Sequence, residues 1–311
     1  MADPLLVTIR FALFAILMVT VGLAAFNIYA LERSERNESA LFYARITFRV
    51  LTLLGVVASV IGMLMVAAAM DGVGILSVRG EMIWMLLSET DIGTAGIVRI
   101  CALVLALSLC LTNSLAPTAL SASVGMLASV ALASLVWTGH AGATEGAIGA
   151  LHRVSDIVHM IAAALWLGGI AGFAMLLRKP ADGLWGNRLF IAHRSLDHFS
   201  KVGTVAVALI VITGLINSYI LVGPDRIRLL FTTTYGQLLL AKIGLVGLML
   251  ALAAQNRWRL TPQLAIDLKS GSTVDSVAAL RRSMVLEGGA ALLILGVVSW
   301  LGLLEPPASM L

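Results

Sequence analysis

Apolar residues in this chain run in long unbroken blocks, and polar residues gather in the short gaps between them. The blocks fall at approximately 6–30, 46–70, 95–112, 117–138, 151–177, 202–222, 236–256 and 284–304. Each is close to the roughly 20 residues that a helix needs to cross a hydrocarbon core about 30 Å thick. Strands of a membrane barrel would alternate with a period of two, and these blocks do not. The pattern therefore predicts an all-α fold, a polytopic membrane helical bundle of eight transmembrane helices. The opening stretch MADPLLVTIRFALFAILMVT lacks a charged leading region and is too long an apolar run for a cleavable leader, so it is expected to be a retained first helix.

Composition agrees with this. Of 311 residues, 59% are hydrophobic and only 12% charged, far too little polar surface for a water-soluble domain of this length. The net charge of +4 is then a topology signal rather than a sign of nucleic-acid binding. The gap after the first block holds Arg33, Arg36 and Arg45; that after the fifth holds Arg178, Lys179, Arg188, Arg194 and Lys201; that after the seventh holds Arg257, Arg259, Lys269, Arg281 and Arg282. The alternate gaps hold only Arg79, Arg153, Arg226 and Arg228. By the positive-inside rule the first set is cytoplasmic, so both termini and the segment 139–152 are expected on the periplasmic side.

The stretch 71–90, partly apolar with Trp84, is expected along the outer interface or dipping into it, and 185–199 reads as an amphipathic helix on the inner side. Residues 257–283 read as a polar cytoplasmic connector with turn chemistry. Cys101 and Cys110 stand nine residues apart within one block, on different turns, and are expected to be free buried thiols.

The chemistry concentrates in GHAGATEGAIGALHRVSDIVHM, residues 139–160, which holds His140, His152, Asp156 and His159. The last three stand at i, i+4 and i+7, one stripe of a helix, and a Gly/Ala-rich loop lets His140 fold back towards them. Imidazoles with a carboxylate make a first shell for Cu(II) or Zn(II), or Asp156 instead orients a histidine by accepting its other N–H. Two other readings stand beside this one. The residues are interfacial and satisfied by water or head groups, or paired histidines ligate haem, which histidines at matched depth on two spans would favour. Ionisable residues within spans are costly and commonly functional, which weighs against the first.

Other polar residues lie inside the blocks. Lys242 and Asn217 fall at a depth similar to Asp156 and His159, suggesting one outward polar cavity in which Lys242 pairs with Asp156 or snorkels to the interface. Glu287, with Asn256 and His198 near the same face, either receives a cation leaving the membrane or is a helix-start glutamate favoured by the macrodipole. Arg10, Arg49 and Arg99 are assigned to snorkelling or structural pairing. Met63 and Met70, at i and i+7, offer Cu(I) a soft path or act as packing residues. Gly168 and Gly172 have the spacing that lets helices approach closely.

At these residues the chain resembles the copper-resistance D family of bacterial inner-membrane proteins. The matching pieces are GHA at 139–141, DIVHMIAAALWLGG at 156–169, TG with Asn217 at 213–217, TTYGQLLLAK at 233–242, QNR at 255–257 and EGG at 287–289. At 197–203, DHFSKVG carries His198 where the family pattern leads one to expect arginine. The resemblance divides the chain into a four-helix N-terminal segment, 1–134, and a family-like membrane domain of four helices, 135–311, expected to form one integrated bundle. It implies a bacterial inner-membrane protein of copper homeostasis moving copper ions, Cu(I) or Cu(II), from periplasm to cytoplasm. His140, His152, Asp156 and His159 are the expected metal site, with Asn217, Lys242 and Glu287 along the pathway. It also implies a small periplasmic copper-binding partner of the CopC type. No phosphate-binding loop or other catalytic motif occurs, so neither ATP-driven pumping nor enzymatic chemistry is expected. The competing classes are a haem- or metal-binding membrane redox protein and a non-transporting copper-binding subunit.

Overall fold

The computed structural model describes residues 3–37, 44–178 and 185–309, and among them it contains helices and no strand. Eight helices are long and apolar enough to cross a membrane. They are α1 (Pro4–Tyr29), α2 (Ala44–Asp71), α3 (Asp91–Leu111), α4 (Pro117–Ala133, continued by a 3-10 turn to Thr138), α5 (Gly146–Leu176), α6 (Trp185–Val222), α7 (Thr234–Gln255) and α8 (Val274–Leu301). Lys179, one of the basic residues that set the expected orientation, lies outside the described residues.

The first helix is the hub of the bundle. Asp3 caps it by accepting from the Leu5 N–H, with Pro4 in the first turn where a missing N–H costs nothing. Its length then packs against α5, α4, α2 and α8. The tightest contact is glycine on glycine: a Cβ placed on Gly22 would lie 2.5 Å from the Gly168 Cα, and one on Gly172 would lie 2.6 Å from the Phe26 ring. Gly168 and Gly172 therefore serve packing, as their spacing predicts, and bring the α5 backbone against α1. The main other neighbours are α2 with α3, α3 with α4, α5 with α6, and α7 with α8.

Three elements are longer than the apolar blocks suggest, all at the end that carries the basic loops. The segment expected as a separate interfacial helix is a continuous extension of α6 towards the basic loops, and Leu189, Ile191, Ala192 and Leu196 bury its apolar face in the bundle. Beyond α7, a π turn at Asn256–Leu260 leads into a helix Thr261–Ser270, ended by Gly271 in the left-handed region at φ 79°. Pro262 has no N–H to return to the preceding turn, which accounts for the widened π turn just before it. The expected connector is thus mostly helical, and α8 begins at Val274 because Val277, Leu280 and Met284 seat an apolar stripe on the same core.

At the opposite end, Gly80–Glu89 forms a short surface helix with Leu86 buried and Trp84 exposed, in keeping with an interfacial element. Both cysteines are free; Cys110 is buried, whereas Cys101 is exposed on the outside of the bundle rather than buried as expected.

Candidate functional site

At the end away from the basic loops, a cavity of about 160 Å³ opens among α1, α5, α6, α7 and α8. His140, His152, Asp156 and His159 all line it, and so do Asn217 and Lys242. The helical stripe read from the sequence is real: α5 carries His152, Asp156 and His159 down one wall, while the short helix His140–Ala143 turns His140 back over the mouth. Gly142 and Gly149 permit that return, since a Cβ on either would strike the backbone at Trp137 or Thr144.

Two hydroxyl groups and one carbonyl decide which ring nitrogen each histidine presents. The Thr213 hydroxyl donates its one proton to the Leu209 carbonyl at 2.5 Å and stands 2.9 Å from His159 Nδ1. A hydroxyl whose proton is committed can only accept, so His159 carries its proton on Nδ1 and keeps the Nε2 lone pair. The same logic holds for His152: the Thr144 hydroxyl donates to the His140 carbonyl at 3.0 Å and accepts from His152 Nδ1 at 3.0 Å. His140 Nε2 lies 3.0 Å from the Leu301 carbonyl, which only accepts, so its free lone pair is on Nδ1. All three imidazoles are held from one side with the other nitrogen available, the arrangement that outer-sphere partners impose on metal-ligating histidines.

Asp156 accepts from Asn217 Nδ2 at 3.2 Å, and Asn217 Oδ1 is buried without a partner. Asp156 lies within Coulombic reach of Lys242 and Arg10, but neither closes to ion-pair distance. Arg10 instead donates to the Thr138 carbonyl at 2.7 Å, and the Tyr235 ring sits edge-on to His140 with centroids 5.9 Å apart. His140, between the spans, has its pKa lowered by burial and by the charge of Arg10, against the Leu301 bond that raises it. Among the described residues no three His, Cys, Asp or Glu side chains are gathered closely enough to hold a metal ion as they stand. The four candidate ligands line a vestibule rather than encircle a point.

Glu287 lies elsewhere, in a cavity of about 270 Å³ towards the basic end, which Asp197, Asn256, Arg257 and Trp166 also line. Its carboxylate is 3% exposed and accepts from Asn256 Nδ2 and, at 3.4 Å, from the Ser283 hydroxyl. His198 is exposed and does not join it. Between the two polar cavities is a smaller apolar one of about 90 Å³, with His159 and Lys242 in its wall and Trp166 shared with the cavity of Glu287.

Several participants escape a reading of the sequence. Thr144 carries no distinguishing signal, and Thr213, which enters the sequence reading only within the TG piece, meets His159, 54 residues away, only in the fold. Trp166 is the exception: it continues the stripe of His152, Asp156 and His159 at i+7 from the last.

Comparison with known proteins decides the family. Residues 1–150 match the model of the copper resistance protein D-like N-terminal domain, and residues 193–301 match that of copper resistance protein D. Copper resistance protein D of Pseudomonas syringae pv. tomato is 37% identical over 306 residues, 98% of either chain. This chain belongs to the copper-resistance protein D family. Within reach of it are inner membrane protein YebZ of Escherichia coli strain K12, 29% identical over 84% of this chain and 86% of the relative, and copper transport protein CutJ of Bacillus subtilis strain 168. The latter is 35% identical over 125 residues, 40% of this chain and 21% of the relative. No solved structure matches. The protein is accordingly a multi-pass membrane member of a copper-resistance family.

Proposed function

We propose that the protein moves copper ions across the bacterial inner membrane from periplasm to cytoplasm, taking them up in the cavity of His140, His152, Asp156 and His159. The observation that carries this reading is that each of the three imidazoles is fixed on one nitrogen and left with a lone pair on the other. A loose vestibule of such ligands suits an ion that must leave again, where a closed cage would trap it. Imidazole accepts either oxidation state, and the oxygens of Asp156 and Asn217 favour Cu(II).

The excess of basic residues in alternate loops supports a vestibule and both termini on the periplasmic side, with Glu287 on the way to the cytoplasm. Copper then passes His159 and Lys242, crosses the small apolar chamber beside Trp166, and reaches Glu287 and Asn256. A periplasmic copper-binding protein of the CopC type is the expected donor at the open mouth. Only metal–ligand bonds are exchanged in this scheme, which describes a carrier rather than an enzyme. The 1–134 and 135–311 segments act together, since α1 supplies Arg10 to the vestibule wall.

Copper uptake into sealed vesicles containing the purified chain, followed with an internal copper indicator, tests the proposal. Uptake faster than in protein-free vesicles, lost in His159→Ala and retained in His193→Ala, is expected. Tight binding with no uptake by the wild type would mean a non-transporting subunit, and a haem spectrum at near one haem per chain would mean a redox protein.

A further inference from the structure

A cavity of about 300 Å³ lies not at the histidines but beside them, among α1, α2, α3 and the end of α4. Its walls are apolar except for Arg10, Arg99 and Thr138. Arg99 is eight residues into α3, about 12 Å from the helix start at 1.5 Å per residue, and is 2% exposed, so it does not snorkel. Its guanidinium donates from Nε to the Ser59 hydroxyl at 3.2 Å and from Nη1 to the Ser134 hydroxyl at 3.3 Å. Both are long bonds to neutral groups. Nη2 has no partner among the described residues, and no carboxylate pairs with Arg99 there.

Arg10 adds to the imbalance. Its Nε is buried and unpartnered, and it stands in the wall between this cavity and the histidine vestibule. Across the two chambers Arg10, Arg99 and Lys242 face a single carboxylate, Asp156. Uncompensated guanidinium within the span of a membrane protein is expensive, and the usual remedy is a counter-charge. Met63 and Met70 line this cavity too, and Met63 packs on Gly96.

We propose that the cavity of Arg10 and Arg99 is a binding site for an oxyanion of phosphate type. The planar fork of arginine donors matches phosphate oxygens bidentately, and the unpaired Nη2 of Arg99 and the guanidinium of Arg10 in the cavity wall are the donors such a ligand takes. Its source is either the phosphodiester headgroup of an anionic lipid, whose chains would lie along the apolar wall, or free phosphate. Occupancy offsets the charge of Arg10 next to Asp156, so it also favours cation entry into the vestibule. The site itself does not depend on copper being the cargo.

The test uses the full chain in detergent, stripped of lipid, with thermal unfolding recorded against three additives: phosphatidylglycerol, inorganic phosphate and zwitterionic phosphatidylcholine. Stabilisation by phosphatidylglycerol alone identifies a lipid headgroup, and stabilisation by phosphate as well identifies a free oxyanion. In either case Arg99→Gln weakens the apparent affinity at least about tenfold, the loss expected for removing a charge-assisted bond, and Arg99→Lys retains part of it. If Arg99→Gln does not fold, Arg10→Gln supplies the comparison. No stabilisation by either anion, or an equal effect of phosphatidylcholine, or an undiminished response in the variants, would overturn the proposal.

Discussion

Thr213 carries more of the vestibule than its small side chain suggests. By spending its proton on the Leu209 carbonyl it forces His159 into the tautomer that leaves Nε2 open. Thr213→Val keeps the shape and removes the acceptor, so copper affinity is expected to fall about 10- to 100-fold, the range for loss of an outer-sphere partner. Thr213→Ser should restore most of it in the same equilibrium titration; an unaltered affinity in Thr213→Val would show that the tautomer is not set there.

His140 gives a pH signature. Its pKa lies below the ordinary 6.5 because of burial and Arg10, so the unfolded chain takes up the proton first. Its contribution to stability is complete above pH 6.5 and is lost as pH falls from there towards the lowered value. Unfolding measured across that window should show a slope that is flatter in His140→Ala. The same lowering means that protons compete with copper at this ring only below the ordinary imidazole range.

At the scale of elements, the contact between α1 and α5 is the one with no slack. Gly22 and Gly168 meet backbone to backbone, where a new Cβ has nothing flexible to push aside. Gly168→Val is expected to cost more than the usual 1–3 kcal/mol of overpacking, seen as loss of the folded fraction in detergent melts, whereas Gly288→Ala, whose Cβ would meet only Ile170 Cγ2 at 3.7 Å, should melt like wild type.

How far the sequence was legible follows from this same scale. Eight spans and the stripe of His152, Asp156 and His159 could be read because hydrophobic blocks and the helical period are local properties. The extra helix at the basic end of α6, beyond α7 and at the start of α8 could not, because there the chain is mixed in polarity and it is burial of Leu189, Leu264 and Leu280 in the bundle that keeps it helical. The hydroxyls that fix the ring nitrogens, and the place of Arg10 in the vestibule wall, depend on which helices meet, and a period carries no information about that.

For the whole molecule, the proposed entry and exit use different chambers. Among the described residues the histidine vestibule and the Glu287 cavity are distinct chambers, and the apolar one between them shares His159 and Lys242 with the first and Trp166 with the second. Glu287→Gln should therefore leave copper binding at the vestibule within about twofold, well under the tenfold that 1.4 kcal/mol represents, while slowing vesicle uptake. A parallel loss of both would merge the two sites into one.

The central claim is that copper binds at the vestibule, and metal analysis of the purified chain tests it most directly. After equilibrium dialysis against copper, wild type and the His140→Ala/His159→Ala double variant are compared, with circular dichroism confirming equal helical content. Copper retained by the wild type and lost from the double variant is the predicted result. Equal copper in the two would contradict the account.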